Sequence, residues 1–124
     1  MKTASDPRHL KRIRKFKNIF AQSFIDQEKK GPTLKKILKN QEQIDGIIIK
    51  SAPEWPISQI NKVDLAVLRL SIFELINKKD IPTKVIIDEA VEIAKRYGSE
   101  SSGGFINGAL ATAVEIIRPD KNQK

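Results

Sequence analysis

Apolar residues are densest in residues 61–76, and this stretch predicts the helix around which the rest of the chain packs. Its apolar positions cover more than the roughly 100° stripe that is typical of a surface helix, so other elements must surround it. Asn61 is a favourable N-cap, and Asp64 stands three residues later, as in a variant of the capping box. We therefore expect a central helix that begins near Lys62.

Helical spacing of apolar residues also occurs before the central helix. It predicts a helix over residues 8–27 and a second element over residues 34–50, which polar residues near position 40 and Gly46 could divide into two shorter helices. The connector before the central helix contains Trp55, which we expect to pack onto the core.

Two further helices are predicted after the central helix. Pro82 suits the first position of one helix, which Gly98 closes, and the last helix covers residues 105–117 before Pro119 stops it. No stretch alternates between apolar and polar residues as a strand does, so the pattern predicts an all-α fold.

The first helix has a cationic face opposite its predicted apolar face. At 100° per residue the apolar face consists of Leu10, Ile13, Phe20, Ala21 and Phe24. The cations on the other face are Arg8, Lys11, Arg12 and Lys15. Like charges at this spacing repel one another, and no carboxylate lies between Asp6 and Asp26 to offset them, so the pattern favours anion binding over a solvated face. His9 has no partner nearby in the sequence and is interpreted as incidental.

The net charge of +8 lies entirely in the first part of the chain. Residues 1–50 contain 13 Lys/Arg and 5 Asp/Glu, whereas residues 51–124 contain 10 of each. This asymmetry indicates a polyanionic partner, with nucleic acid as the first candidate and an anionic membrane surface as the second.

Length and composition limit the remaining classes of protein. A chain of 124 residues suits one domain, with residues 1–7 and 119–124 as flexible tails. The absence of Cys and the presence of a single His exclude a disulfide framework and the usual zinc sites, so we expect no metal and no cofactor. No apolar run approaches the ~18 residues of a membrane helix, which predicts a cytoplasmic protein.

Several motifs follow one another in a fixed order after Trp55. They are Asn61-x-Val63-Asp64, Leu68-Arg69-Leu70, Phe73-Glu74-Leu75, Ile81-Pro82-x-x-Val85, Asp88-Glu89-Ala90-Val91-Glu92-Ile93-Ala94-Lys95, Gly98 and Phe105-Ile106-Asn107-Gly108. Over residues 55–118 this series strongly resembles the NusB family of transcription antitermination factors, and several motifs at matching spacing make the resemblance specific.

The resemblance implies an all-helical bundle of two small helical subdomains. It also implies a non-enzymatic factor that binds the boxA element of nascent single-stranded RNA together with the ribosomal protein NusE and stabilises the transcribing RNA polymerase complex. Two departures concern the site: Gly104 stands where the family usually has a basic residue, and Asp88 stands where the family commonly has Asn. The first helix matches only loosely.

Two further site residues follow from the resemblance and from their positions. Phe105 is expected to stack on an RNA base, because it lies at the edge of the apolar face of the last helix, although a core role is an equal alternative. Asp64 is expected at or near the surface that meets the basic ribosomal partner, in competition with its capping role.

Other classes of function stay open at this point. The chain could be a protein-interaction module without sequence-specific RNA binding, with a solvated basic face or an affinity for anionic lipid. NusB-like domains are also fused to RNA methyltransferases, but that interpretation needs a cofactor-binding domain with a Gly-rich loop.

Overall fold

The structure, a computed structural model, describes residues 6–119, in which all regular secondary structure is helical. The six α-helices are α1 (Pro7–Gln22), α2 (Pro32–Lys39), α3 (Gln41–Ser51), α4 (Lys62–Asn77), α5 (Thr83–Tyr97) and α6 (Ser102–Ile117), with a short 3₁₀ turn at Ile57–Gln59. The predicted all-α bundle is confirmed. None of the helices in residues 6–119 combines the length and the apolar character needed to cross a bilayer.

Helix α4 is the centre of the bundle, as the sequence predicts. It packs against α1, α3, α5 and α6, and eleven of its residues are buried. The Asn61 side chain caps its first turn by accepting a hydrogen bond from the Asp64 backbone N–H at 2.8 Å. The density of apolar residues in α4 thus corresponds to burial on several sides.

Several helix ends differ from the sequence-based expectations. Asp6 caps α1 and Pro7 is its first residue, so these two residues belong to the helix start and not to a tail. The second element is divided at Asn40, and Gly46 lies inside α3. The predicted tails otherwise fall on residues 1–5 and 120–124, outside the described residues, and on Pro119 just beyond α6.

The buried face of α1 is rotated relative to the predicted one. The structure buries His9, Ile13, Phe16 and Ile19, whereas Leu10 of the predicted face is 42% exposed. Phe24, also assigned to that face, lies beyond the end of α1 and is 63% exposed. The physical reason is that α1 also buries polar side chains through ion pairs, which a pattern of apolar residues cannot reveal. The expectation for Trp55 is wrong as well, because its side chain is 49% exposed.

Two arginines tie the helices together. Arg69 of α4 donates to both carboxylate oxygens of Asp45 in α3, each at 2.9 Å. Arg118, which follows α6, donates to the carbonyl oxygens of Leu75, Lys78 and Ile81. The Arg69 pair joins α4 to α3, and the Arg118 contacts fix the turn between α4 and α5, which borders the candidate site described next.

Candidate nucleic-acid interface

The four cations predicted on α1 do not share one environment. The Arg8 side chain is 87% exposed and pairs with Asp6 at 3.3 Å, and Lys11 is exposed. Lys15 is half-buried, whereas the Arg12 side chain is only 12% exposed. The predicted cationic stripe therefore has three members at or near the surface, and Arg12 turns inward.

Arg12 belongs to a buried ionic cluster that joins α1 to α4 and α5. Its Nε lies 3.0 and 3.1 Å from the two carboxylate oxygens of Glu74, and its Nη1 lies 3.8 Å from Glu89 Oε1. His9 Nδ1 lies within hydrogen-bonding distance of the same Glu89 oxygen, at 2.6 Å. His9 is therefore not incidental, and Arg12 is paired with carboxylates where the sequence suggested a free surface cation, because these side chains fasten α1 to the bundle.

The surface cations of the stripe line a groove between α1 and the α4–α5 region. This α1–α5 groove has a volume of about 850 Å³. Its cations are Arg8, Lys11, Arg12, Lys15 and Lys78. Its carboxylates are Asp6, Glu74, Asp80, Asp88, Glu89 and Glu92. Among residues 6–119, six carboxylates thus accompany five cations in the groove, which gives no positive excess of the kind that the sequence of α1 suggests.

One end of the groove nevertheless concentrates positive charge. Burial lowers the pKa of the Lys15 ammonium below its usual 10.5, and the nearby Lys78, Lys11 and Arg12 cations lower it further, while Glu74 opposes them. Lys78 caps the C-terminus of α4 and was missed in the sequence analysis, because only the fold brings it beside α1. An anion bound at this end would relieve repulsion among these cations.

Phe105 lies in the first turn of α6, partly buried against the core. This intermediate exposure matches its predicted position at the edge of the apolar face. Ser101 at the helix start makes no side-chain capping hydrogen bond. Gly104 has open space where a side chain would project, so the missing basic residue reflects the sequence and not a steric limit.

A second group of cations surrounds Tyr97, the last residue of α5. The Tyr97 ring packs against Phe16, with ring centroids 5.3 Å apart. Lys17 Nζ lies 5.5 Å and the Arg96 guanidinium carbon 5.3 Å from the centre of the Tyr97 ring. Sequence analysis missed this group because its members come from two helices that are distant along the chain.

The expected surface position of Asp64 is wrong, because its side chain is only 5% exposed. Asn61 Nδ2 donates to its Oδ2 at 3.0 Å, whereas its buried Oδ1 has no partner in hydrogen-bonding geometry. Burial raises the pKa of the Asp64 carboxyl, and interactions with Ser102 and Asn61 partly oppose this shift. Asp64 thus supports the start of α4 from below the surface.

Comparison with known proteins identifies the family. A sequence model described as the NusB family matches residues 12–115 of the chain. The chain belongs to the NusB family. The match includes all of α2, α3, α4 and α5, and most of α1 and α6, so it also covers the N-terminal half, where the sequence motifs were weakest.

Individual NusB relatives agree with this assignment. A transcription antitermination protein NusB from Acetivibrio thermocellus is 50% identical over 91 residues, covering 73% of this chain and 63% of the relative. One from Dehalococcoides mccartyi is 42% identical over 88 residues, covering 71% of this chain and 62% of the relative. The chain thus spans a little under two thirds of the length of these curated relatives.

The fold agrees as well. The solved structure of NusB from T. maritima superposes with a TM-score of 0.83 at 35% sequence identity, and the superposition covers 100% of both chains. The resemblance to NusB proteins and the helical bundle that it implies are therefore both confirmed.

Proposed function

We propose that this chain is an RNA-binding transcription antitermination factor. It recognises boxA-type single-stranded RNA together with the ribosomal protein NusE and stabilises the transcribing RNA polymerase complex. The observation that carries the proposal is the match of residues 12–115 to the NusB family. In this account the chain acts in the cytoplasm as a scaffold and not as an enzyme, with no cofactor.

The proposed site combines phosphate contacts with base stacking. Arg8, Lys11 and Lys15 contact phosphates, which position the strand without reading its sequence. Phe105 stacks on an unpaired base, as aromatic side chains do in single-stranded RNA recognition. Arg12 acts indirectly, because its ion pairs with Glu74 and Glu89 hold the helix that carries the phosphate contacts.

One observation favours a second candidate function. Carboxylates slightly outnumber cations in the α1–α5 groove, and a surface of mixed charge suits a protein partner at least as well as a polyanion. The alternative is therefore a NusB-like protein-interaction module without sequence-specific RNA binding.

Fluorescence anisotropy separates the two candidates. A labelled boxA-type RNA and a scrambled RNA of the same composition are titrated with the chain, with and without the ribosomal partner. The proposed function predicts tighter binding of the boxA-type RNA and a further gain when the partner is present. Binding of the ribosomal protein with no affinity for either RNA would instead support the interaction module.

A further inference from the structure

The cations around Tyr97 come from two helices and converge on one aromatic ring. Tyr97 is held from inside by Phe16, and the charged ends of Lys17 and Arg96 lie just over 5 Å from its ring centre. Two cations so placed are at most about 11 Å apart, so salt at 0.1 M, where the Debye length is ~10 Å, screens their mutual repulsion only in part. Contact with the ring face offsets part of that repulsion.

In their ion pairing these cations resemble Lys11 and Lys15 of the predicted stripe and differ from Arg8 and Arg12. Arg8 and Arg12 are engaged by carboxylates, whereas Lys17 and Arg96 have no carboxylate within 4 Å among residues 6–119. Within the same residues, Arg14 and Lys95 have none either. The positive charge here is therefore available to an external anion.

The group is continuous with the start of α6. Arg14 stands three residues before Lys17 and so neighbours it on the surface of α1. The stem of Lys95 lies against the first turn of α6, where a Cβ on Gly103 would come within 3.0 Å of its Cγ. This contact places Lys95 near the helix start that carries Phe105.

We propose that Arg14, Lys17, Lys95 and Arg96, which we call the Tyr97 cluster, form a phosphate-contact surface for single-stranded RNA, with Lys17 and Arg96 at its centre. The inference rests on the proposed RNA-binding function and assigns part of the strand to this face in addition to the surface cations of the stripe. The physical reason is that unpaired cations gain more from a phosphate than cations that already have carboxylate partners.

The test is the double variant Lys17→Gln with Arg96→Gln, titrated with a labelled boxA-type RNA and with a scrambled RNA. At about 0.1 M salt, counterion release contributes roughly fivefold in affinity for each phosphate contact on a single strand. Losing two contacts should weaken binding of both RNAs about 25-fold and should make the slope of log K against log salt shallower by about 1.4. Both residues are exposed, so the melting temperature should not change.

The control variant is Lys35→Gln with Lys36→Gln, which removes the same net charge from exposed positions on α2. It should keep the wild-type salt slope. If the wild-type chain binds RNA and both double variants bind equally well, the Tyr97 cluster is not a phosphate site, although the proposed function stands. If the wild-type chain binds neither RNA at low salt, the proposed function and this inference both fail.

An anionic membrane is the competing partner for such a surface. Vesicles that contain phosphatidylserine are therefore tested with the same variants. Loss of vesicle binding in the Lys17→Gln, Arg96→Gln variant, with RNA binding unchanged, would assign the Tyr97 cluster to lipid and overturn the inference.

Discussion

Gly98 shows how closely the end of α5 approaches the start of α6. A Cβ at this position would lie 2.4 Å from Ser102 Oγ and 2.8 Å from the carbonyl oxygen of Ala94, both closer than van der Waals contact allows. The junction that follows Tyr97 and precedes Phe105 therefore has no room for a side chain.

Gly98→Ala should destabilise the protein by roughly 1–3 kcal/mol, the usual cost of overpacking. Urea unfolding measures the effect. Gly46→Ala is the matched control, because a Cβ there meets nothing within 4 Å and should stabilise α3 by ~0.5–1 kcal/mol. Equal effects of the two substitutions would show that packing at the α5–α6 junction is not tight.

Asp64 predicts a pH dependence of stability. Burial raises the pKa of its carboxyl above the ordinary 3.8, so the folded state binds the proton more tightly than the unfolded state does. Protonation of Asp64 therefore stabilises the folded state fully below pH 3.8, and this stabilisation is lost as the pH rises through the folded-state pKa.

Asp64→Asn should therefore melt at a higher temperature than the wild type at pH 7, and the difference should shrink as the pH falls toward 4. The Asn61 cap survives, because it accepts from the backbone N–H of residue 64. Melting curves from pH 4 to 8 measure the difference, with the exposed Asp80→Asn as control. A variant that is less stable than the wild type at pH 7 would contradict this account.

A substitution of Phe105 can show whether its side chain serves RNA binding or the stability of the fold. Loss of one stacked base costs ~1–3 kcal/mol of RNA affinity, so Phe105→Ala should weaken binding roughly 5-fold to 150-fold. Its partial burial predicts a smaller loss of stability than the ~3–5 kcal/mol for a fully buried Phe. Phe24→Ala, at an exposed aromatic outside the proposed site, should leave RNA affinity unchanged. Normal RNA binding by a folded Phe105→Ala variant would exclude stacking.

At the scale of elements, the ionic cluster beneath α1 sets the position of that helix. Arg12 and His9 both point at carboxylates of α4 and α5, and their side chains are nearly inaccessible to water. Removing one partner from a buried ion pair leaves an uncompensated charge, which costs much more than the loss of a surface pair.

Arg12→Gln should accordingly destabilise the fold by roughly 3 kcal/mol, because it leaves Glu74 and Glu89 without their guanidinium partner. Arg14→Gln removes the same charge from an exposed position of the same helix and should stay within about 0.5 kcal/mol of the wild type. Urea unfolding of the pair provides the test. Similar stabilities of the two variants would show that the ion pairs of Arg12 do not stabilise the fold.

These contacts explain which elements could be predicted from the sequence. Helix α4 could be predicted, because its N-cap and its high density of apolar residues are local features of the sequence. The rotation of the buried face of α1 could not be predicted. Arg12 and His9 count as polar in an apolar pattern, and their partners lie 62 and 80 residues further along the chain. Buried ion pairs are long-range features, and periodicity carries no information about them.

The same limit applies to the candidate site. The excess of cations in residues 1–50 indicates a polyanionic partner. The partial burial of Phe105 agrees with its predicted position at the edge of the apolar face of α6. Three features of the site depend on how α1 packs against α5. They are the pairing of Arg12, the carboxylates of the α1–α5 groove and the convergence of Lys17 and Arg96 on Tyr97. Charge along the sequence indicates the kind of partner but not the face that meets it.

At the scale of the whole molecule, the net charge of +8 is distributed over faces of different character. Counted over residues 6–119, the α1–α5 groove is nearly neutral, whereas the Tyr97 cluster has no carboxylate partners there. We expect long-range attraction to bring a polyanion to the molecule and the unpaired cations to set where it binds.

The salt dependence of RNA binding tests the central claim most directly. The affinity for a boxA-type single-stranded RNA is measured by fluorescence anisotropy across a series of monovalent salt concentrations. Three phosphate contacts of the stripe predict a slope of log K against log salt of about −2, and the two further contacts of the Tyr97 cluster bring it to about −3.5, at ~0.7 per phosphate. A slope near zero, or no measurable binding at low salt, would contradict the account of this chain as an RNA-binding antitermination factor.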